Sequence, residues 1–363
     1  MLGIMKALLL TAPSSLTVTD LETPEPDAGE VRVRIAACGI CGSDVHGYTG
    51  STGRRIPPLV MGHEAAGIID AVGKNVSGEL IGQRVALDST VFCGECEFCC
   101  NGKENLCTHR QVLGVSCDTY RRQGCFAEYA IVPERCVYPL PEQMGFVAAS
   151  LLEPLTIGLQ AVRLGNASPA TRSAVVIGAG TIGLAIIVAL KSYGVQRVAA
   201  VDLDASRLNE AREFGADAVF EADQITAKQL AEWGASSADT DGADLVLEAV
   251  GAAASVETAI HAVTRGGTVV LVGNVSPVVE LPLQTVVTRQ IRLQGSCASA
   301  GCYPEAIELA ASGAVDLSRF VSRVAPLEDG IDWFERLHNR EPGVLKVVLQ
   351  PSEISEGEAN VAV

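Results

Sequence analysis

Apolar and polar residues follow different patterns in the two halves of this 363-residue chain. Before about residue 90, short apolar runs are separated by glycine and proline, and strands are predicted over 5–10, 31–37, 66–72 and 84–87. No helical periodicity of any length appears among them. Residues 31–37 alternate regularly, which is typical of a half-buried strand in an antiparallel sheet. We therefore expect an all-β region at the start of the chain.

Beyond about residue 150, short apolar strands alternate with helical segments. Strands are predicted over 174–177, 198–201, 218–220, 245–249, 268–272 and 291–294, and a helix over 205–214. Six strands in this alternation predict a doubly wound parallel sheet. A second β/α piece runs from about Cys297 to a last strand at 345–349. The tail from Pro351 on is acidic and rich in small residues, and we expect it to be disordered.

A glycine-rich turn follows the first strand of this second region. Gly178, Gly180 and Gly183 form G-x-G-x-x-G between a strand and a helix, and Asp202 ends the next strand. The glycines let the backbone approach a pyrophosphate, and the helix N-terminus supplies a positive dipole. The sequence therefore predicts a dinucleotide site in a βαβ unit.

Four cysteines in the segment from about 92 to 110 have the spacing of a closed metal site. Cys93, Cys96, Cys99 and Cys107 read C-x2-C-x2-C-x7-C, and four thiolates can surround one tetrahedral zinc ion. Because no position is left open, we expect a structural zinc site. An iron–sulfur cluster is the rival interpretation, and a coincidental cysteine-rich loop is the simplest one.

A second group of candidate ligands combines sulfur, imidazole and carboxylate. His63 and Glu64 lie in the sequence G-H-E-A-A-G, Cys41 precedes them, and Glu153 occurs in L-L-E-P-L. This ligand set suits zinc, and a catalytic zinc keeps one position open for water or substrate. We predict a mononuclear zinc held by Cys41, His63 and a carboxylate, which is either Glu64 or Glu153.

Composition limits the classes of partner and the cellular locations that are compatible with this chain. Nearly half of the chain is apolar and 19% is charged, which excludes global disorder, and a net charge of −16 disfavours nucleic acid and anionic membranes as partners. No apolar run approaches the ~20 residues of a membrane-spanning helix. The start of the chain is predicted to be a strand and not a signal peptide. Twelve cysteines in a chain of this size, four of them at metal spacing, favour a reducing, cytoplasmic location.

The order of these motifs resembles the zinc-dependent medium-chain alcohol dehydrogenase family. The residues after Cys41 and the Glu153-Pro154-Leu155 triplet resemble its sorbitol (polyol) dehydrogenase branch. The resemblance implies an α/β chain in which a GroES-like, β-rich catalytic domain is formed by 1–156 and 297–363. A Rossmann NAD-binding domain at 157–296 is inserted between the two parts. It also implies a small-molecule alcohol substrate, two zinc ions per chain, and a homo-oligomer, a tetramer or else a dimer, that forms around Leu271 to Leu293.

The resemblance assigns a role to single residues of the catalytic site. Cys41 and His63 become zinc ligands, Glu64 a ligand or near-ligand, and Glu153 a ligand or the residue that holds the zinc-bound water. Ser43 takes the position that hydrogen-bonds the substrate oxygen, and His46 ends a proton relay to solvent. Ser43 has a structural alternative as a helix N-cap, and His46 as an ordinary polar residue.

The resemblance also assigns the cofactor contacts. The positions involved are Gly178, Gly180, Thr181, Ile182, Gly183, Asp202, Arg207, Val272 and Lys346. Asp202 is expected to accept hydrogen bonds from the adenosine ribose and to repel the 2′-phosphate of NADP, so we expect NAD to be preferred.

The chain departs from the polyol branch where that branch contacts its substrate. An Arg-Tyr pair expected after Gly295 is Ala298-Ser299 here, and a tyrosine expected after His46 is Gly47, with Tyr48 one place later. The predicted reaction is hydride transfer from a secondary alcohol of a polyol, sugar or cyclitol derivative to NAD, giving a ketone. Threonine- or butanediol-type and phosphorylated-polyol dehydrogenases are the alternatives. A non-catalytic, zinc-containing binding protein of the same fold is the alternative from another class.

Overall fold

The computed structural model of the chain describes residues 3–117, 120–237 and 239–352. Its strands are β1 (Ile4–Ala12), β2 (Ser15–Glu22), β3 (Glu30–Gly39), β4 (Leu59–Val60), β5 (Glu64–Val72), β6 (Arg84–Leu87), β7 (Thr90–Val91), β8 (Gln111–Leu113), β9 (Arg121–Arg122), β10 (Tyr129–Pro133), β11 (Val137–Pro139), β12 (Ser173–Ile177), β13 (Arg197–Asp202), β14 (Ala218–Glu221), β15 (Ala243–Glu248), β16 (Val263–Leu271), β17 (Arg292–Gly295), β18 (Arg323–Pro326) and β19 (Val347–Gln350). Its helices are α1 (Gly42–Tyr48), α2 (Glu97–Cys100), α3 (Phe146–Ser150), α4 (Leu152–Leu164), α5 (Thr181–Ser192), α6 (Ala205–Glu213), α7 (Ala227–Gly234), α8 (Ala253–Ala262), α9 (Leu283–Thr288), α10 (Tyr303–Ala311) and α11 (Gly330–His338). Within these ranges no helix is long and apolar enough to cross a membrane. The acidic tail predicted to be disordered lies, from residue 353 on, outside the described residues.

The chain packs as two compact units. The first comprises the residues up to Glu153 together with those from Ala300 on, and the second comprises Pro154–Ser299. The domain limits expected from the sequence, 156 and 297, each lie three residues from these divisions.

The first unit is built around a mixed sheet in the order β11-β6-β5-β3-β19-β18, with β10 also paired to β3. The predicted alternation along β3 is confirmed, because Val31, Val33 and Ile35 are buried while Arg32 and Arg34 are only half-buried. Smaller sheets, β2-β1-β4 and β7-β8-β9, complete the unit. Its core includes aromatic contacts such as the edge-on packing of Phe126 against Phe334.

A helix interrupts the region that the sequence pattern predicts to be all-β. Helix α1 has seven residues, of which Asp44, Val45, Gly47 and Tyr48 are buried, so the prediction of no helix before residue 90 is wrong here. A helix of two turns is too short to establish an apolar periodicity, and its buried face includes a carboxylate and a glycine. Cys41, and not Ser43 or Asp44, occupies the N-cap position.

The second unit contains a six-stranded parallel sheet in the order β14-β13-β12-β15-β16-β17, as the sequence predicts. Strands β12, β13 and β15 are almost continuously apolar, because helices cover both faces of such a sheet. Strand β12 pairs with β13 on one side and with β15 on the other, so the strand order reverses at β12. Ligands of doubly wound sheets bind at this switch point, outside the carboxyl ends of the strands.

Candidate active site

Three neighbouring strand ends in the first unit bring the predicted ligands together. Gly39, the last residue of β3, is paired with Glu64 at the start of β5 and with Val348 of β19. Cys41 follows β3 by two residues, and Lys346 immediately precedes β19. The sheet register therefore assembles a site from segments that lie far apart along the chain.

Cys41, His63 and Glu64 form the centre of this site. One possible ligand atom of each lies within 4.8 Å of those of the other two, and His63 and Glu64 are buried. One thiolate, one imidazole and one carboxylate make three protein ligands, the number usual for a catalytic zinc ion. The donor set thus agrees with the metal that the sequence predicts.

Glu64 is also paired with a buried lysine. Lys346 Nζ lies 2.8 Å from Oε1 and 2.7 Å from Oε2 of Glu64, and it donates to the carbonyl oxygen of Ile40 at 3.0 Å. Burial would lower the pKa of Lys346, but the Glu64 carboxylate outweighs it and raises the pKa. A Cβ atom at Gly39 would stand 2.2 Å from Glu64 Oε2, so a glycine is required beside this pair.

These contacts bear on the cofactor role predicted for Lys346. An ammonium group has three donors, and here they face two carboxylate oxygens and one carbonyl oxygen. The structure thus places Lys346 at the zinc site as the counter-charge of Glu64. A contact between Lys346 and the cofactor remains a prediction from the resemblance.

Glu153 lies in the first turn of α4, outside the group formed by Cys41, His63 and Glu64. Its Oε1 accepts a hydrogen bond from Ser89 Oγ at 3.0 Å, and the residue is buried. Burial raises the pKa of Glu153 to about 7, against an opposing effect of His63. A nearby cation would favour its ionised form.

The imidazole of His63 is flanked by a fully buried carboxylate. His63 Nδ1 lies 3.4 Å from Asp44 Oδ1, which is longer than a normal hydrogen bond, and Asp44 Oδ2 accepts from the backbone N–H of Cys41. Burial alone would raise the pKa of Asp44, but His63 and Arg55 outweigh it and hold the pKa at about 2. A carboxylate on Nδ1 leaves Nε2 to face a metal, the arrangement usual for zinc-bound histidine.

The two predicted relay residues both lie on α1 and are both exposed. Ser43 Oγ accepts a hydrogen bond from Arg55 Nη2 at 3.3 Å. His46 follows one turn later, and its backbone carbonyl accepts from Thr49 and Ser51. The positions one turn apart place both side chains on one side of the helix.

The four spaced cysteines converge on a single point. Sγ–Sγ separations are 3.5 Å for Cys96–Cys99 and for Cys107–Cys93, and 3.9 Å for Cys93–Cys99. A tetrahedral ion with Zn–S bonds of about 2.3 Å requires separations of about 3.8 Å. The backbone N–H groups of Cys99 and Thr108 lower the pKa of Cys96 to about 5, which favours a thiolate. The spacing fits one zinc ion, and a cluster of several irons would hold the sulfurs further apart.

In the second unit the glycine turn has the geometry of a dinucleotide site. Gly178 has a φ of +96°, and a Cβ atom at Gly183 would stand 1.7 Å from the carbonyl oxygen of Gly178. A Cβ atom at Gly180 would meet nothing within 4 Å, so the backbone there is open to a ligand. Thr181 and Ile182 begin α5, and Val272 follows β16 at the same edge of the sheet. The cradle fits a pyrophosphate at the switch point.

Asp202 ends β13 with both carboxylate oxygens engaged. Oδ2 accepts from the N–H of Ala179 at 2.7 Å, and Oδ1 accepts from the N–H of Asp204 at 2.9 Å. Arg207 lies 4.0 Å from Asp202 and 3.9 Å from Asp204 and is half-exposed. The acid is therefore fixed beside the glycine turn.

Comparisons with known proteins agree with both units. Residues 27–142 match the alcohol dehydrogenase GroES-like domain, and residues 181–312 match the zinc-binding dehydrogenase family. D-xylulose reductase A of Aspergillus oryzae is 35% identical over 86% of this chain and 87% of its own length. Sorbitol dehydrogenase of Bacillus subtilis is 32% identical over 96% and 98%. The crystal structure of rspB from Escherichia coli CFT073, complexed with NADH, has a TM-score of 0.87 at 32% identity and covers 96% of this chain and 99% of that one.

The chain belongs to the zinc-dependent medium-chain alcohol dehydrogenase family. It is an oxidoreductase with a GroES-like unit and a Rossmann unit. The predicted family, fold class and cofactors, zinc and NAD, are thereby confirmed.

The structure locates the residues that stand where the resemblance implies polyol contacts. Ala298 has a φ of +53°, and the buried hydroxyl of Ser299 donates to Thr156 Oγ1 at 3.0 Å. Tyr48 is no substitute for a tyrosine at position 47, because it is buried and its hydroxyl donates to the carbonyl oxygen of Ser14. The three side chains that the resemblance implies, the Arg-Tyr pair and the tyrosine after His46, therefore have no replacement at their own positions.

Besides Asp44, which flanks His63, three residues of the site were not predicted in these roles. Arg55 contacts Ser43 and Asp44, Ser89 contacts Glu153, and Lys346 pairs with Glu64. None lies in a motif that carries zinc chemistry, and each meets its partner through the fold. The signal available for Arg55 was a basic residue in a Gly- and Pro-rich loop, which is ordinarily a solvated position.

Proposed function

We propose that this enzyme oxidises a secondary alcohol of a polyol, sugar or cyclitol derivative to a ketone and transfers the hydride to NAD. The observation that carries the proposal is the buried group of Cys41, His63 and Glu64 in a chain that also has an open glycine cradle for a dinucleotide. The sorbitol and D-xylulose relatives support a polyhydroxylated substrate.

Within the site we assign Cys41, His63 and Glu64 as the zinc ligands. Lys346 would then serve as the hydrogen-bonding partner that ligating carboxylates require. Glu153 lies outside the ligand group, and we assign it to the position beside the open coordination site. When bound, zinc supplies a Lewis acid that lowers the pKa of the substrate hydroxyl.

The chain's own residues would then remove the substrate proton. We assign Ser43, exposed at the start of α1, to accept it and His46, one turn later, to pass it to solvent. We assign Asp44, whose Oδ1 lies 3.4 Å from Nδ1 of His63, to orienting that imidazole so that Nε2 faces the metal.

A second proposal concerns assembly and location. Five exposed apolar side chains lie between β16 and β17, where β17 is an edge strand of its sheet; they are Val275, Val278, Leu281, Leu283 and Val287. We infer that they pack in a homo-oligomer, a tetramer or else a dimer. All twelve cysteines are free, which supports a reducing, cytoplasmic location. Light scattering should give a multiple of the 37.9 kDa chain for the wild type and a smaller particle for Val278→Glu. Ile81→Glu, at an exposed site in the first unit, is the control, and a monomeric wild type at micromolar concentration would refute the inference.

The proposed reaction is tested by a substrate screen that follows the absorbance of reduced cofactor. Polyols, sugar acids, cyclitols, 2,3-butanediol, threonine and phosphorylated polyols should be offered with NAD and with NADP. The proposal expects the highest kcat/KM with an unphosphorylated polyhydroxylated secondary alcohol and NAD. Highest activity with threonine, butanediol or a phosphorylated polyol would favour the corresponding alternative, and no turnover with any alcohol would favour a binding protein.

A further inference from the structure

Arg55 is a buried cation that touches both functional side chains of the first turn of α1. It is only 5% exposed, and its Nη2 donates to Asp44 Oδ1 at 3.1 Å and to Ser43 Oγ at 3.3 Å. The same Asp44 oxygen lies 3.4 Å from Nδ1 of His63. One guanidinium nitrogen thus links the residue that orients a zinc ligand to the residue placed to accept the substrate proton.

Gly47 makes this contact possible. A Cβ atom at position 47 would stand 2.2 Å from Arg55 Cγ and 3.2 Å from its Cβ. The aliphatic stem of Arg55 therefore crosses α1 at Gly47, where no side chain obstructs it. Such an overlap cannot be relieved by rotating a flexible end, because the atoms involved belong to the start of the side chain.

The arrangement is maintained at a cost. Arg55 Nε is buried and has no hydrogen-bond partner among the described residues. An unpaired buried donor is unfavourable, and such groups in native proteins call for an explanation beyond packing.

We propose that Arg55 is a positioning residue that sets the direction of the Ser43 hydroxyl; this rests on the proposed function of Ser43. A serine hydroxyl has one donor and two acceptor lone pairs, whereas a guanidinium only donates. With Arg55 on one lone pair, the Ser43 proton points away from Arg55 and the other lone pair is left for the substrate. The substrate proton passes to that lone pair while the original Oγ proton leaves toward His46, so no net charge stays on Ser43.

The positive charge of Arg55 supports the same direction of transfer. A cation 3.3 Å from Ser43 Oγ disfavours any state in which the hydroxyl retains an extra proton. Asp44 keeps the guanidinium in place, since the pair is buried on both sides. Arg55 would thus act through Ser43 and need not touch the substrate.

The test is a double-mutant cycle on the zinc-loaded enzyme. Arg55→Lys keeps a charge opposite Asp44, but the lysine side chain is one atom shorter, so its ammonium cannot take the place of Nη2 between Asp44 and Ser43. We expect kcat to fall by about 100-fold with Ser43 present, the lower end of the range for a proton-transfer contribution. In a Ser43→Ala background the same substitution should change kcat by less than about 2-fold, because interacting residues are not additive. Gly47→Ala should reproduce the loss of kcat even though Arg55 itself is not substituted, because the new Cβ would overlap the Arg55 side chain. Alanine is the better helix former, so a loss of helix propensity would not explain this result.

Zinc content, the thermal unfolding midpoint and a charge-matched control complete the design. Arg54→Lys, at the exposed neighbouring position, should leave every readout unchanged. Arg55→Lys should keep its zinc, and its effect on the unfolding midpoint should be smaller in Ser43→Ala than in wild type. Equal kcat losses in both backgrounds, or additive midpoint shifts, would overturn the proposal and leave Arg55 as a structural ion pair. If the wild type forms no reduced cofactor with any alcohol, the proposed function fails. The double-mutant cycle measured on the unfolding midpoint still decides whether Arg55 acts on Ser43.

Discussion

Removing the charge of Asp202 should weaken the enzyme's preference for NAD over NADP. Asp202 is held by the N–H groups of Ala179 and Asp204 at 2.7 and 2.9 Å, so it cannot swing away from an incoming 2′-phosphate. The geometry therefore makes repulsion, and not rearrangement, the expected response to NADP.

The magnitude follows from the charges at this strand end. Two unit charges about 4 Å apart interact by about 4 kcal/mol at an effective dielectric constant of about 20. Arg207 offsets part of this repulsion, but it is half-exposed and lies 4.0 Å from Asp202 and 3.9 Å from Asp204. An exposed pair contributes at most about 1 kcal/mol. The remainder corresponds to a preference for NAD of roughly 100-fold, at about 1.4 kcal/mol per tenfold.

The assay is kcat/KM for both cofactors in wild type, Asp202→Asn and Asp202→Ala. Asparagine removes the charge but keeps one acceptor oxygen for the glycine turn, whereas alanine removes both acceptors. If charge decides, both variants should shift the NADP/NAD ratio upward by about tenfold or more. Only Asp202→Ala should lower the thermal unfolding midpoint clearly. Asp204→Asn is the control for loss of a carboxylate near Asp202. Asp204 is the N-cap of α6, where its side chain accepts a hydrogen bond from the N–H of Ser206.

Two results would refute this reasoning. Equal use of NAD and NADP by the wild type would show that the carboxylate does not repel the phosphate. An unchanged ratio in both variants, with a lower unfolding midpoint, would show that Asp202 serves the turn alone.

Two further predictions concern the first unit. Cys96→Ser should lose one zinc ion per chain and destabilise or aggregate the protein, since structural zinc contributes folding free energy. Cys100→Ser, at the exposed neighbouring thiol, is the control and should keep its metal and its stability. Full stability with lost activity in Cys96→Ser would reverse the assignment of the two zinc sites. Burial, together with Glu153 and Glu104, raises the pKa of Asp88 to about 8 against the opposing Thr90 N–H. Between pH ~4 and ~8 the folded state therefore binds this proton more tightly than the unfolded state does. As pH rises through that window, the folded state loses up to about 1.4 kcal/mol of stability per pH unit. Denaturant titrations at several pH values should show a shallower decline for Asp88→Asn, and an unchanged slope would contradict the shift.

The features that the sequence predicted are those in which neighbouring residues carry the chemistry. The glycine turn, the acid at the end of β13 and the four spaced cysteines are local patterns, and the structure brings each set together. The parallel sheet followed from the same kind of reasoning, because fully buried strands read as continuous apolar runs.

The contacts that the sequence did not predict join residues far apart in the chain. Lys346 and Glu64 are 282 positions apart, and Ser89 and Glu153 are 64 apart. The first pair depends on the register of β3 with β5 and β19, which no local pattern determines. Arg55 is closer to Ser43, but its contact depends on the absence of a side chain at Gly47, a packing property.

The most direct test of a zinc site at Cys41 and His63 is the metal content of the Cys41→Ser protein beside that of wild type. Plasma mass spectrometry should find two zinc ions per chain in the wild type, one for each ligand group. Cys41→Ser should keep the fold and one zinc ion and form no reduced cofactor. Two zinc ions in Cys41→Ser, or unchanged turnover after its zinc falls to one, would contradict a catalytic zinc held by Cys41.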